Sequence, residues 1–338
     1  MKAVGFKTSL SIDEAESFVD FETAIPQPTG HEILVNVKAA GVNPVDYKVR
    51  QNSAKDKILD IPKIIGWDAA GVVEAVGADV TLFKVGDEVY YAGDITKSGS
   101  NAEFQLVDER IVGKKPMSLT YAEAAAMPLT TLTAWEILFD RMRINEKDKG
   151  KTLLIIGGAG GVGSIAIQIA KKVAGLTVLA TASRPESAEW CKNQGADYVV
   201  NHRDLVNEVR SAGFQQVDFI LDFVDVNQYW DAFAELIRPQ GAIGSISDPT
   251  QPVNLRQLKS KSVSFHWELM FTRSMFQTED ITEQHLILNK ASNLFDNGTL
   301  HSTLTTTLNG LSAENLKTAH RQLESGNTIG KSVIDYQL

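Results

Sequence analysis

Between Leu153 and Ser164 the chain reads LLIIGGAGGVGS, and Gly158, Gly160 and Gly163 stand in G-x-G-x-x-G spacing with Gly161 and Val162 between them. A turn without side chains that opens a helix brings unpaired backbone N–H groups and the positive end of a helix dipole to one point, where a pyrophosphate fits. The neighbours supply the elements this chemistry needs. Leu153, Leu154, Ile155 and Ile156 are apolar on every side, as in the buried centre of a parallel sheet. Ile165, Ile169, Ala170 and Val173 then recur at helical intervals. Strand, glycine turn and helix together predict a dinucleotide site. No Gly-Lys-Ser/Thr follows, which excludes a phosphate-binding NTPase loop.

A site selective for an unphosphorylated ribose places an acid about twenty residues further on, at the end of the second strand. Here that strand ends Thr181-Ala182-Ser183-Arg184, with no carboxylate before Glu186. A hydroxyl and a guanidinium attract a 2′-phosphate by charge-assisted hydrogen bonds, so NADPH is the expected cofactor. The other reading of Ser183 and Arg184 is a capped helix start before Pro185.

The 338 residues suffice for two domains, each with its own core. The balance of 33 basic and 42 acidic residues, a net charge of −9, argues against nucleic acid as main partner. No apolar run is long enough to span a bilayer, and MKAVGFKTSL lacks the apolar centre of a signal peptide, so a cytoplasmic protein is expected. The single cysteine, Cys191, rules out an internal disulfide and a cysteine-rich zinc site, and reads as a small buried side chain.

Up to about residue 122 the pattern is of short strands divided by turns, which points to a small barrel or rolled sheet. Residues 121–140 turn helical. From Lys151 to about His266 strands and helices alternate, with a helix over residues 228–237 halted at Pro239-Gln240-Gly241. This is the signature of an α/β doubly wound parallel sheet. The last sixty residues offer two helices, the alternating strand LHSTLTTTL and a closing strand KSVIDY, expected to fold back onto the N-terminal barrel.

The segments AAGVNPVDYKVR (39–50), IIGWDAAGVVEAVG (64–77), VGDEVY, AAAMPLTTLTAWE, IIGGAGGVGSIAIQIAK and GKSVI, in that order, resemble the medium-chain dehydrogenase/reductases, and within them the zinc-independent quinone oxidoreductases. The resemblance implies a GroES-like β-barrel domain over 1–122, completed by 267–338, and a Rossmann domain over 123–266. It also implies a homodimer through the Rossmann sheets. Zinc alcohol dehydrogenases of this superfamily carry a Cys where this chain has Gly41-Val42-Asn43, and Gly-His-Glu where it has Gly66-Trp67-Asp68, so no metal is expected. Gly30-His31-Glu32 lies out of order and reads as a turn entering a strand.

What the resemblance implies for the site is hydride transfer from NADPH to a quinone or to the β-carbon of an α,β-unsaturated carbonyl. Asn43 would donate to the substrate oxygen, and Tyr47 would donate or relay a proton, water being the alternative source. Asp46 is either catalytic or a buried residue holding the loop. Trp67 and Trp267 are pocket lining or core. Thr133 matches the threonine at the nicotinamide end, and Gly244 to Ser247, with Gly244 and Ser245 as the cofactor contacts, form the strand end whose backbone meets that ring. His202 stands where relatives carry a tyrosine contacting the 2′-phosphate. Lys331 is a second phosphate candidate or a solvated lysine. The competing expectations are an alcohol or aldehyde dehydrogenase and a low-turnover NADPH sensor or scaffold.

Overall fold

The computed structural model describes residues 1–337. Two compact units divide the chain, one of Met1–Leu132 with Phe271–Leu338 and one of Thr133–Met270.

In the first unit β1 (Lys2–Gly5) and β2 (Val19–Glu22) form an antiparallel pair. Then come β3 (Glu32–Val42), α1 (Pro44–Asn52), β4 (Asp68–Val76), β5 (Glu88–Tyr91), β6 (Phe104–Asp108) and β7 (Val112–Lys114). Ile33, Val35 and Val37 alternate along β3 and pack with Val73, Val89 and Val107 into one core, the period-2 pattern of a sheet with one buried face. The run of strands without helices expected here is interrupted by α1. Asn43 stands at its N-cap and Pro44 in its first turn, where a missing N–H costs nothing, and the carboxylate of Asp46 accepts the Asn43 N–H at 2.8 Å. The helical stretch expected over 121–140 is three pieces: α2 (Tyr121–Ala125), α3 (Pro128–Trp135), within which the first unit gives way to the second, and a π-helical turn over Glu136–Arg141 in the second unit. Pro128 separates the first two, since it has no N–H to continue the ladder.

The second unit is built on β8 (Thr152–Ile156), α4 (Gly161–Gln168), β9 (Thr177–Thr181), α5 (Pro185–Gln194), β10 (Tyr198–Val200) and α6 (Leu205–Ser211). It continues through β11 (Val217–Asp222), α7 (Val226–Leu236), β12 (Ile237–Ser245), α8 (Arg256–Lys259) and β13 (Ser264–Trp267). All strand pairs are parallel and lie in the order β10-β9-β8-β11-β12-β13, the doubly wound arrangement whose switch point falls beside β8. Leu154, Ile156, Leu179 and Ile220 pack with Trp230 and Phe233 of α7. Residues 239–241 do not halt a helix. β12 already starts at Ile237, and its pairing with β11 is irregular near Gln240, whose φ of 63° takes up an extra residue.

The chain then returns to the first unit as α9 (Thr272–Phe276), α10 (Glu283–Asp296), β14 (Leu304–Asn309), α11 (Ala313–Glu324) and β15 (Lys331–Asp335). The sheet there runs β14-β15-β3-β4-β5-β7, with β6 also on β3. Among the described residues no helix is long and apolar enough to cross a membrane.

Candidate active site

In the second unit the glycine turn is a cradle that side chains would fill. A Cβ on Gly163 would stand 2.1 Å from the Gly157 carbonyl oxygen and 2.8 Å from Gly158 Cα; one on Gly158 would meet Ala180 Cβ at 2.8 Å. Gly160, by contrast, would put a Cβ no closer than 3.5 Å to anything. Gly157 turns the chain with φ 81°, a left-handed conformation that suits glycine. The turn is held from the next strand, because Thr181 Oγ1 accepts the Gly157 N–H at 2.9 Å and the Thr181 carbonyl accepts the Gly158 N–H at 3.3 Å. Gly161, Val162 and Gly163 form the first turn of α4, whose N–H groups have no intrahelical acceptor. No side chain caps the helix, so these amides are available to an anion.

At the end of β9, Arg184 is the N-cap residue of α5, but Ser187 does the capping: its hydroxyl accepts the Arg184 N–H at 3.2 Å. The guanidinium is half-buried and lies 3.4 Å from Glu186, while the hydroxyl of Ser183 is not spent on the cap. His202 Nδ1 meets the Tyr229 hydroxyl at 3.0 Å, and partial burial, then Arg203, lower its pKa and favour the neutral ring. Gly244 and Ser245 end β12. Ser245 and Ser247 donate to Oδ2 of the fully buried Asp222 at 2.8 and 2.6 Å, and Oδ1 of Asp222 accepts the N–H groups of Val224 and Asp225. Ser247 closes the strand end expected over 244–247, whereas the side-chain roles of Thr181 and Asp222, both read only as strand residues, carry no motif of their own. Thr133 is buried in α3, and Trp267 is 48% exposed at the end of β13, stacked edge-on against Phe265. Cys191 is buried, with its thiol pushed up to about 12 by desolvation.

In the first unit three adjacent strands assemble a polar cluster. Register pairs Ser332 with Val42 and Gly41 with Asp68, which sets Lys331 beside Asn43 and both beside Asp68. The Lys331 ammonium donates to the Val42 carbonyl at 3.0 Å, to Asp68 Oδ2 at 3.1 Å and to Asn43 Oδ1. Asn43 Nδ2 donates to Asp68 Oδ2 at 2.8 Å, and Asp68 Oδ1 accepts the Leu129 N–H at 2.7 Å. Asp46 Oδ1 is buried without a partner, and desolvation pushes its carboxyl up to about 7 against the pull of the Asn43 N–H and Lys331. Tyr47, one turn along α1, is half-buried, and no hydrogen bond occupies its hydroxyl among the described residues.

Two expectations are corrected here. Lys331 is neither solvated nor a phosphate ligand: it is 3% exposed, and its three N–H donors meet three oxygens, leaving none for an anion. Trp67 is core, fully buried and edge-on to Phe271 at 6.0 Å.

Residues 29–135 match the alcohol dehydrogenase GroES-like domain and residues 161–285 the zinc-binding dehydrogenase family. A zinc-type alcohol dehydrogenase-like protein of Staphylococcus epidermidis (strain ATCC 12228 / FDA PCI 1200) is 43% identical over 339 residues, 99% of each chain. A crystal structure from Rhizobium etli CFN 42, provisionally described as a zinc-dependent alcohol dehydrogenase, is 51% identical with a TM-score of 0.94, covering 99% of this chain and 98% of its own. The chain belongs to the medium-chain dehydrogenase/reductase superfamily. Another member, Escherichia coli quinone oxidoreductase solved with NADPH, is 26% identical with a TM-score of 0.83 over 99% of this chain and 100% of its own. An NADPH-dependent alkenal/one oxidoreductase of Arabidopsis thaliana, chloroplastic, is 32% identical over 240 residues, 69% of this chain and 59% of its own.

The zinc in some superfamily names calls for a test against this chain's donors. Zinc takes thiolate, imidazole or carboxylate ligands. At the relevant places stand an amide oxygen already facing an ammonium, an indole with no free lone pair, and a carboxylate whose two oxygens accept from Leu129, Asn43 and Lys331. Lys331 already supplies the cation. These residues do not fit a zinc ion.

Proposed function

We propose that this medium-chain dehydrogenase/reductase is an NADPH-dependent reductase of quinones or α,β-unsaturated carbonyls that works without zinc. The observation that carries this reading is the Lys331–Asn43–Asp68 cluster, in which organic donors and an internal ammonium stand where a Lewis acid would be needed. A conjugated acceptor spreads the negative charge it gains and needs less Lewis-acid help than a simple ketone. The E. coli and Arabidopsis relatives, with NADPH, quinone and alkenal/one in their descriptions, support the same class.

The residues of the glycine turn fit a dinucleotide, which when bound supplies the hydride. The amides of Gly161, Val162 and Gly163 would hold its pyrophosphate, and Ser183 and Arg184 a 2′-phosphate. Tyr47, with an unclaimed hydroxyl, and the second Nδ2 proton of Asn43 are the donors left for the acceptor oxygen.

The test is a panel of quinones and enones with NADPH and NADH, followed by nicotinamide absorbance on chelator-treated protein. Turnover with NADPH and a conjugated acceptor is expected. A requirement for stoichiometric zinc with ethanol oxidation would establish an alcohol dehydrogenase instead. Tyr47→Phe should reduce turnover while NADPH still quenches tryptophan fluorescence; unchanged turnover removes Tyr47 from the chemistry. Arg184→Ala should weaken NADPH by about 10- to 100-fold, the worth of a charge-assisted hydrogen bond, and leave NADH nearly unaffected. Equal losses for the two nucleotides would take the guanidinium off the 2′-phosphate.

A further inference from the structure

Asn43 is the proposed donor to the acceptor oxygen, and an amide can present either end. Its two ends are nearly the same in shape and opposite in hydrogen-bonding sense, so something must decide which faces which way. The decision is made 288 residues away in sequence. An ammonium can only donate, so the group of Asn43 facing Lys331 must be the carbonyl oxygen. Asp68 Oδ2 can only accept when ionised, so the group facing it must be the nitrogen, and that contact is 2.8 Å. With Oδ1 held and one Nδ2 proton spent on Asp68, a single amide proton is left. Lys331 itself is anchored by the Val42 carbonyl, the residue before Asn43, and by Asp68. Lys331, Asn43 and Asp68 are all nine-tenths or more buried, so water does not compete for these bonds.

We propose that Lys331 is a positioning residue for the reduction: its ammonium locks the Asn43 carboxamide with the nitrogen as the donor end, so that one N–H is fixed for the acceptor oxygen. The inference rests on the reading of Asn43 as that donor. It is separate from charge balance. A lysine needed only to neutralise Asp68 would become dispensable once Asp68 is neutral; a lysine that orients Asn43 would not.

The experiment compares Lys331→Met with the double variant Asp68→Asn/Lys331→Met, which leaves no buried charge unpaired. Turnover with the best acceptor of the panel should fall about 10- to 100-fold in the single variant, part of the loss seen when an oxyanion donor is removed outright. The loss should lie in kcat, with NADPH affinity by tryptophan quenching within about twofold of the parent. The double variant should regain thermal stability but not turnover. Parental turnover in the double variant would overturn the proposal, because the pair would then be structural only. A readout free of activity comes from ¹⁵N-asparagine labelling, with Asn43→Ser giving the assignment. The parent should show two well-separated Asn43 side-chain protons, which collapse to the positions of a free amide in the double variant. An unchanged pair of signals would also overturn it. Should the parent reduce none of the panel, the reductase reading fails, and the amide signals still decide the role of Lys331.

Discussion

On the proposed function, Gly163→Ala is expected to weaken NADPH binding by at least about 100-fold and to destabilise the second unit by at least about 2 kcal/mol, the range of overpacked interiors. The added methyl would sit 2.1 Å from the Gly157 oxygen and 2.8 Å from Gly158 Cα, both backbone atoms that no rotamer change can move aside. Relief requires α4 to lift off the turn or the turn to shift, and the turn is tied to β9 by Thr181. Either movement displaces the amides offered to a pyrophosphate. Gly160→Ala is the informative contrast. Gly160 has φ −71°, which any residue adopts, and its Cβ would have 3.5 Å of clearance. Its fold should survive, so any loss of affinity reports the close approach of a ligand to the bare backbone. Titration by tryptophan fluorescence suits both variants, since Trp190 Nε1 donates at 2.8 Å to Ser164 in the same helix as Gly163. Parental NADPH affinity in Gly160→Ala and Gly163→Ala together would place the dinucleotide elsewhere.

The second, doubly wound unit was legible because its signals are local. An all-apolar strand, glycines at fixed offsets and a helical repeat follow one another within about twenty residues, and the adjoining segments continue the alternation of strand and helix. The same locality would have revealed α1, since Asn43, Pro44 and Asp46 are an N-cap, a first-turn proline and a reciprocal cap, but the neighbouring strands drew the reading toward sheet. The polar cluster was not legible. Lys331 meets Asn43 and Asp68 only because β15 lies against β3 and β3 against β4 in one particular register. A one-residue slip would turn Lys331 to the other face, and nothing in GKSVI alone fixes that register. A terminal lysine in a polar-looking pentapeptide therefore reads as solvated when its neighbours across the sheet are unknown.

Asp46→Asn is expected to stabilise the protein, increasingly as the pH rises. The Asp46 carboxyl is buried, with one oxygen on the Asn43 N–H and the other unpartnered, and its pKa is raised from 3.8 to about 7. Desolvation is the largest cause, and Asp68 adds to it, while the Asn43 N–H and Lys331 oppose it. In the unfolded chain the same carboxyl ionises near its ordinary value. A folded pKa above the unfolded one means that the group's favourable contribution is complete below about pH 4, declines as the pH rises, and is gone above about pH 7. A shift of this size corresponds to roughly 4 kcal/mol between those limits, at about 1.4 kcal/mol for each tenfold change in proton affinity. Asparagine keeps an oxygen for the Asn43 N–H and has no proton to lose, so its advantage over the parent should be small at pH 4 and several kcal/mol at pH 8 by denaturant unfolding. A difference that does not vary with pH would show that Lys331 already holds the carboxylate ionised in the fold. Turnover of the same variant separates the two roles read for Asp46: a cap of α1 survives the change to asparagine, whereas a group that must give up a proton does not.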